Sequence, residues 1–311
     1  MARTEGDTWD IVSSVGATAL GVAAMRAIEA RRPRPLACDE YAQYFVAATK
    51  EAAPVFSEFV ENPDIASEPD IELFSSAMGA RTRYFDEFFL DASTAGIQQA
   101  VILASGLDVR GYRLPWPDGT VVHELDQPKV LEFKKQVLDQ HGVRANAAVV
   151  ALPVDLRSDW PEALKAKGFD ASCPTAWSAE GLLAYLPGAA QDLLFERIAD
   201  LSAPGSRLAT EDLPPERRDA RLAAQTALHD GALRRMISSI VDKDAGEDMS
   251  SLWFTDERAD PLTWLTGHGW TVSAVTTREL LVRHNRSIPA EPHEISDGLI
   301  DSRYLTAIKP A

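Results

Sequence analysis

The chain has 311 residues, of which 45% are hydrophobic and 25% are charged, a composition typical of a globular protein. The 31 basic and 47 acidic residues give a net charge of −16, which argues against electrostatic binding to nucleic acid or to an anionic membrane surface. The two cysteines, Cys38 and Cys173, have no CxxC or Cys/His spacing. Neither a disulfide framework nor a metal site is therefore expected.

An apolar stretch with helical spacing lies at residues 11–25. Its 15 residues are too few to span a bilayer. Glu5, Asp7 and Asp10 precede it, where a signal peptide would begin with a basic segment. We therefore expect a cytoplasmic protein that does not interact with membranes.

The first 95 residues predict a cap of helices. Apolar and small residues recur at helical spacing over residues 12–30, and Pro33 and Pro35 end that helix. Further helical patterns cover residues 39–53, 54–60 and 71–92. Gly96 then marks a break, after which the pattern changes.

Short apolar runs then alternate with helical segments, which is typical of parallel βαβ units. The five runs are residues 99–104, 120–125, 147–154, 175–183 and 207–210, and the helices among them cover residues 128–141, 161–167 and 189–202. Residues 214–255 are polar and charged, as expected of an insertion. A helix at 256–268 and strands at 270–275 and 303–308 complete an α/β plan with seven strands.

Functional residues are expected where the strands end, because ligands of open α/β sheets bind outside the carboxyl ends of the strands. Gly106 follows the first strand in a loop that lacks the GxGxxG pattern of a pyrophosphate site. Asp126 ends the second strand, 20 residues after Gly106, and Asp155 follows the third. A carboxylate can accept hydrogen bonds from a ribose diol or from an adenine amino group. Each residue alone has a structural alternative, a tight turn or a helix cap, but together they favour an adenosine ligand without a diphosphate.

An ordered set of motifs resembles a known family. The motifs are residues 101–108 (VILASGLD), 112–114 (YRL), 124–128 (ELDQP), 179–183 (AEGLL) and 185–187 (YLP). They are similar to motifs of the leucine carboxyl methyltransferase-like family, and especially of its bacterial group of S-adenosyl-L-methionine-dependent O-methyltransferases. The resemblance extends from residue 7 to about residue 270, and it weakens over residues 214–255 and after residue 276.

The resemblance implies a Rossmann-like, seven-stranded methyltransferase sheet. Residues 1–95 would form an N-terminal helical cap, residues 96–311 the domain that binds S-adenosylmethionine, and residues 214–255 a helical lid inserted over the substrate. Gly106 is expected to lie against the methionine part of this cofactor. Ala104 stands in the same loop at a position where related enzymes often have glycine.

The resemblance also implies the other cofactor-binding residues. Asp126 is expected to hold the ribose, and Asp155 with Leu156 the adenine. Arg81 resembles the arginine that pairs with the cofactor's carboxylate, a role that suits a bidentate guanidinium; a surface arginine is the alternative. Glu180 resembles the family's acid near the amino group and the sulfonium, where the cofactor would supply the cationic partner that a buried carboxylate needs.

The implied reaction is attack by an oxygen nucleophile on a sulfonium methyl group, for which the protein mainly supplies alignment. We expect a small-molecule acceptor, and a carboxylate acceptor would need no base because it is ionised at pH 7. A hydroxyl acceptor would need one. The base candidates are His229 and His284, and the alternative is that both histidines are solvated. Tyr185 is a separate candidate that would line the methyl-transfer region, and a core tyrosine is its alternative. Two groups of arginines, at residues 217–221 and 278–286, favour an anionic acceptor.

Two other functions stay open at this point. A nicotinamide-dependent oxidoreductase could use Asp126, but the chain lacks both GxGxxG and a Tyr-x-x-x-Lys pattern. A non-catalytic protein that binds S-adenosylmethionine is compatible with every motif, because catalysis by alignment requires few dedicated side chains. The oligomeric state has no signature in the sequence.

Overall fold

The computed structural model describes residues 11, 14–214, 253–254, 256–288 and 300–310 of the chain. In this part of the chain, the helices before the first strand are α1 (Ser14–Ala30), α2 (Ala42–Ala48), α3 (Pro54–Glu61), α4 (Pro63–Ala66) and α5 (Pro69–Thr94). The later helices are α6 (Arg110–Arg113), α7 (Pro128–Gln140), α8 (Trp160–Ala166), α9 (Gly188–Asp200), α10 (Pro261–Gly267) and α11 (Thr277–Arg283), with a 3-10 turn at Leu183–Tyr185. Among the described helices, none is long and apolar enough to cross a membrane.

Local signals in the sequence account for several helix starts. Proline is the first helical residue of α3, α4, α5, α7 and α10. Its ring presets the helical φ angle, and it has no N–H group that would need a partner there. The helix α11 begins with a capping box instead, in which the Thr276 side chain accepts from the Glu279 N–H and the Glu279 carboxylate accepts from the Thr276 N–H at 2.7 Å.

The helices α1 and α5 pack closely against each other at Gly79. A Cβ on Gly79 would lie 2.5 Å from Glu29 Cγ on α1. The Glu29 side chain is buried, and its carboxylate accepts the Leu36 N–H at 2.7 Å and pairs with Arg32 and with Arg286. Because Arg286 follows α11, this cluster joins the first described helix to the C-terminal part of the chain.

A seven-stranded sheet forms the centre of the described structure. Its strands are β1 (Gln99–Leu103), β2 (Val121–Asp126), β3 (Ala148–Pro153), β4 (Thr175–Ala179), β5 (Arg207–Asp212), β6 (Thr271–Thr276) and β7 (Arg303–Ile308). Their order across the sheet is β3-β2-β1-β4-β5-β7-β6. The first five strands run parallel, whereas β7 is antiparallel to both of its neighbours, β5 and β6.

The strand order reverses at β1, which places a crevice at the carboxyl ends of the central strands. From β1 the chain continues to β2 and β3 on one side and later to β4 and β5 on the other side. In register, Ile102 of β1 lies opposite Glu124 of β2 and Ser178 of β4. The residues that follow β1, β2 and β4 therefore meet at one edge, where open α/β sheets bind their ligands.

The centre of the sheet is apolar on both faces, as expected of parallel strands covered by helices. Val101, Trp177 and Leu208 are completely buried. His123 on β2 is a polar residue within this apolar centre. It is 1% exposed, and neither ring nitrogen has a hydrogen-bond partner among the described residues. Phe169 packs edge-on against this ring, with 6.1 Å between centroids. Burial lowers the pKa of His123 to about 4, so the ring is neutral at pH 7.

The predicted seven-stranded α/β sheet is confirmed, and most strands start and end within two residues of the prediction. The main difference is β4, which ends at Ala179, whereas the prediction continues to residue 183. Gly181 adopts a φ angle of +65°, so the chain turns there although apolar residues follow. The helix α11 has no counterpart in the prediction. Apart from residues 214, 253 and 254, the predicted lid at 214–255 lies outside the described residues.

Candidate active site

The loop after β1 contains two residues in the left-handed conformation. Gly106 has a φ angle of +47°, which glycine adopts freely. Ala104 has a φ angle of +51°, which costs an alanine about 1–2 kcal/mol. The nearest described atoms to a Cβ built on Gly106 would be Ala104 O at 3.9 Å and Ala19 Cβ of α1 at 4.0 Å. The described residues therefore leave room for a ligand to approach this backbone.

A buried lysine supports the same loop from α7. Lys134 is 2% exposed, and its ammonium group donates to Ser105 Oγ at 3.2 Å and to Asp108 O at 3.0 Å. It also pairs with Glu124 of β2, with 2.8 Å between Nζ and Oε2. The three N–H donors of the ammonium are thus matched by three acceptors, and the loop is joined to both α7 and β2.

A buried arginine on α1 holds this loop from the other side. Arg26 donates from Nη2 to Leu107 O at 3.0 Å. Its Nη1 lies 3.2 Å from Asp39 Oδ2, and both side chains of this pair are at most 9% exposed. The position of the loop after β1 therefore depends on the helices that precede the sheet.

Asp126 ends β2 and accepts backbone hydrogen bonds on both carboxylate oxygens. The Gly106 N–H donates to Oδ2 and the Gln127 N–H donates to Oδ1, each at 2.6 Å. Burial raises the pKa of Asp126, and these two hydrogen bonds oppose the rise. A carboxylate has about four lone-pair sites, so the described contacts leave room for a pair of ribose hydroxyls. The helix-cap alternative does not account for this carboxylate, because Gln127 is the N-cap of α7.

Asp155 follows β3, and donors of the protein already bind its carboxylate. Gln127 Nε2 donates to Oδ2 at 2.9 Å, and Arg157 donates from Nε to Oδ1 at 2.9 Å and pairs through Nη2 with Oδ2 at 2.5 Å. Burial raises the pKa of Asp155, but these hydrogen bonds outweigh it and lower the pKa. An adenine amino group would have to displace Arg157, whose side chain is 36% exposed. The neighbouring Leu156 is half-buried and packs against the apolar core of the sheet.

Arg81 on α5 lies between carboxylates at the ends of β4 and β5. Its Nε is 2.9 Å from Glu180 Oε1, and its Nη2 is 2.9 Å from Glu211 Oε1. Its Nη1 contacts Met78 Sδ at 3.8 Å, which is a weak acceptor. Burial lowers the pKa of Arg81, but Glu211 and Glu180 outweigh it and raise the pKa. The guanidinium is therefore charged, and Nη1 can take a stronger acceptor.

Gly181 allows the chain after β4 to pass directly beside this guanidinium. A Cβ on Gly181 would lie 2.6 Å from Arg81 Nη2, and the φ angle of +65° also favours glycine. Both conditions place Glu180, the preceding residue, against Arg81.

Arg110 on α6 extends the ion pairs into a buried network. It pairs with Glu180 at 2.6 Å, with Asp86 of α5 at 2.7 Å, and with Asp108, while Arg113 donates to Asp86 at 2.7 Å. The charged members are Arg81, Arg110, Arg113, Asp86, Asp108, Glu180 and Glu211, and none has a side chain more than 17% exposed. Three arginines against four carboxylates leave one excess negative charge, which suits a ligand with a net positive charge.

Of the three catalytic candidates, the structure describes Tyr185 and His284, which lie in different elements. Tyr185 lies in the 3-10 turn after β4, and its hydroxyl donates to Thr18 Oγ1 of α1 at 3.1 Å. His284 follows α11, where burial and Arg83 of α5 lower its pKa; no described contact joins it to the strand-end residues. His229 lies outside the described residues.

Two of the charged residues of this region that are missing from the sequence-based set are Glu211, which is partly buried, and Lys134, which is buried. Glu211 lies at the end of β5, so the strand-end rule that identified Asp126 could have found it. Lys134 gives no comparable signal, because a lysine within a helix is ordinarily solvated. Its burial depends on the ion pair with Glu124, which only the packed structure places beside it.

The strand order with an antiparallel β7, and the glycine loop and acid at the ends of β1 and β2, define the protein as a Rossmann-like, S-adenosylmethionine-dependent methyltransferase. Comparison with known families agrees with this class. The model of the leucine carboxyl methyltransferase family matches residues 19–199, which is more than half of the chain. The chain belongs to this family, as the motifs predict.

Close relatives carry names of the same class. A protein of Mycobacteroides abscessus named as an S-adenosyl-L-methionine-dependent methyltransferase is 67% identical over 309 residues, which cover 99% of each chain. One from Rhodococcus jostii with the same description is 51% identical over 308 residues, covering 99% of this chain and all of the relative. These relatives establish that S-adenosylmethionine is the cofactor.

Two solved structures with distant similarity are described as methyltransferases. One from Thermobifida fusca has 19% identity and a TM-score of 0.44, covering 97% of this chain and 96% of the other. A magnesium protoporphyrin IX methyltransferase from Synechocystis with bound S-adenosylhomocysteine has 12% identity and a TM-score of 0.47, covering 84% and 99%. The assignment to the family rests on the sequence relatives and not on these structures.

Proposed function

We propose that the protein methylates a carboxylate oxygen of a small acceptor and so forms a methyl ester. The observation that carries this proposal is that the described carboxylates at the strand ends already have ion-pair or hydrogen-bond partners within the protein. Glu180, Glu211 and Asp108 are paired with arginines, and Asp126 accepts two backbone N–H groups. An ion-paired carboxylate is a poor general base. A carboxylate acceptor is ionised at neutral pH and needs no base, and the family's description as a leucine carboxyl methyltransferase supports the same chemistry.

The same residues would hold the cofactor. Arg81 offers Nη1 to the carboxylate of the cofactor, and the excess negative charge of the network that includes Glu180 suits the ammonium and sulfonium charges. Asp126 has acceptor capacity for the ribose hydroxyls, and the backbone at Gly106 leaves room for the methionine part. When bound, S-adenosylmethionine supplies an electrophilic methyl group. The role of the protein is then to orient the acceptor and to exclude water.

Binding of adenine at Asp155 would require the Arg157 side chain to move. Asp155 and Leu156 follow β3, next to the Asp126 site, and Gln127 bridges toward Asp155. Arg157 would exchange its ion pair with Asp155 for solvent, which its exposure allows. Ala104 lies in the loop that would face the cofactor, in the strained conformation described above.

The proposal of an anionic acceptor is not based on the two groups of arginines that favoured it in the sequence. Arg286 pairs with Glu29, and Arg278 lies 4.0 Å from Asp301, so both have partners within the protein. Residues 217–221 lie outside the described residues. The anionic acceptor is proposed on the absence of a free base among the described strand-end residues. We also propose a cytoplasmic location, which the free thiols at Cys38 and Cys173 support because reducing compartments keep cysteines unpaired.

The proposal is tested with matched pairs of small carboxylic acids and the corresponding primary alcohols. Each pair is incubated with the protein and S-adenosylmethionine, and products are detected by mass spectrometry and by release of methanol in mild alkali, which distinguishes esters from ethers. We expect alkali-labile products from the acids, at a rate that does not rise with pH above neutrality. Methylation of alcohols without methylation of the matched acids would refute the proposed acceptor class.

A further inference from the structure

We propose that Glu211 is a positioning residue that orients Arg81 toward the carboxylate of the cofactor. This inference rests on the proposed role of Arg81. Glu211 lies at the end of β5, next to β4 in the sheet, and its Oε1 is 2.9 Å from Arg81 Nη2. Its side chain is 17% exposed, so solvent screens this ion pair only in part.

The geometry of a guanidinium explains why a second carboxylate matters. A guanidinium is planar, with five N–H donors in fixed directions. Nε lies 2.9 Å from Glu180 Oε1 as an ion pair without hydrogen-bond geometry, and Nη2 lies 2.9 Å from Glu211 Oε1. Glu211 is therefore the carboxylate that fixes the position of a terminal nitrogen. The third nitrogen, Nη1, then has a defined direction, and among the described residues its hydrogen-bond partner is the weak acceptor Met78 Sδ. With Glu180 alone, the whole guanidinium plane could turn about the Cδ–Nε bond, and Nη1 would lose that direction.

The charges lead to the same conclusion. Glu180 is shared by two arginines, since Oε1 faces Arg81 and Oε2 accepts from Arg110 at 2.6 Å. Glu211 contributes most to the rise in the pKa of Arg81, ahead of Glu180. If Glu211 were neutral, Glu180 would be the one described carboxylate paired with Arg81, and the network would lose its excess negative charge. It would then attract the cofactor's ammonium group less strongly. Glu211 therefore serves the amino-acid end of the cofactor, and the adenosine end should not depend on it.

The test compares two ligands in the Glu211→Gln variant. S-adenosylhomocysteine carries the amino-acid end, whereas 5′-methylthioadenosine has the same nucleoside and sulfur without it. By calorimetry, we expect Glu211→Gln to weaken S-adenosylhomocysteine about tenfold, the scale of one hydrogen bond to a charged group. The affinity for 5′-methylthioadenosine should change less than about twofold. Equal weakening of both ligands, or no weakening of either, would overturn the inference.

Asp212→Asn is the matched control on the same strand. Asp212 adjoins Glu211, is 4% exposed, and pairs with Arg303 at 2.6 Å. This variant should lower the melting temperature but leave both affinities within about twofold of the wild type. If Glu211→Gln does not fold, Glu211→Asp replaces it, and the same selective loss is expected.

Arg81→Ala separates the two proposals. Selective weakening of S-adenosylhomocysteine in Arg81→Ala, together with none in Glu211→Gln, would reject the inference and retain the role of Arg81. Equal effects on both ligands in Arg81→Ala would reject the proposed role of Arg81 itself.

Discussion

Replacing His123 with leucine should make the protein more resistant to acid. The imidazole is 1% exposed, and neither nitrogen has a hydrogen-bond partner among the described residues. Burial lowers its pKa from 6.5 to about 4, so the unfolded chain takes up a proton over a pH range in which the folded chain does not. Stability from this group is therefore present above pH 6.5 and is lost as the pH falls toward 4. For these two pKa values, linkage gives a loss of about 2 kcal/mol between pH 7 and pH 5, and about 3 kcal/mol by pH 4.

The assay is urea unfolding of the wild type and of His123→Leu at pH 5, 6 and 7. The other titrating groups are common to both proteins, so the difference in free energy of unfolding isolates His123. Leucine has a similar volume, and it also removes two buried nitrogens without partners, so the variant should not be weaker at pH 7. His268→Leu is the control, because His268 is exposed. A difference between wild type and His123→Leu that stays constant within about 0.5 kcal/mol from pH 7 to pH 5 would refute the reasoning.

Three further substitutions test the loop and its surroundings. Ala104→Gly should raise the free energy of unfolding by about 0.5 kcal/mol, because relief of left-handed strain exceeds the entropic cost of glycine; lower stability in urea would contradict the strain. Asp126→Ala should weaken cofactor binding by about 1–3 kcal/mol in calorimetry, and unchanged affinity in a folded variant would remove its assigned role. Lys134→Met should cost about 3–5 kcal/mol of stability, since it leaves Glu124 buried without its ion partner. Adding Glu124→Gln should restore most of that loss in the same urea experiment, and failure to restore it would show that the ion pair is not the cause.

The parallel strands could be predicted well because a strand that is buried on both faces consists of consecutive apolar residues, which are visible in the sequence. That rule also explains the error at β4. Leu182 and Leu183 continue the apolar run, but the chain has already turned at Gly181, whose φ angle is positive. A single glycine within an apolar run does not by itself reveal such a turn. The helix α11 could have been predicted, because its capping box at Thr276 and Glu279 is a local signal.

Some residues of the candidate site could likewise be placed from the sequence, and others could not. Gly106 and Asp126 meet because they end neighbouring parallel strands, so their proximity follows from the strand pattern alone. Arg81 comes from a helix far from the strand ends in sequence, and only the resemblance to a family pointed to it. The proximity of Glu211 to Arg81 depends on how α5 crosses the sheet. The saturation of Asp155 by Arg157 could not be predicted, because spacing does not show which donors a carboxylate has already accepted.

The contacts of α1 imply that this helix and the sheet unfold together. Arg26 bonds the loop after β1, and Glu29 bonds the residue Arg286 near the other end of the chain. Melting α1 would therefore release the loop and the chain after α11 at the same time. In hydrogen exchange, we expect the amides of α1 and of residues 104–108 to open in one cooperative step. If the cofactor binds the loop after β1 as proposed, its binding would then also protect α1 from exchange, although α1 precedes every described strand in the sequence.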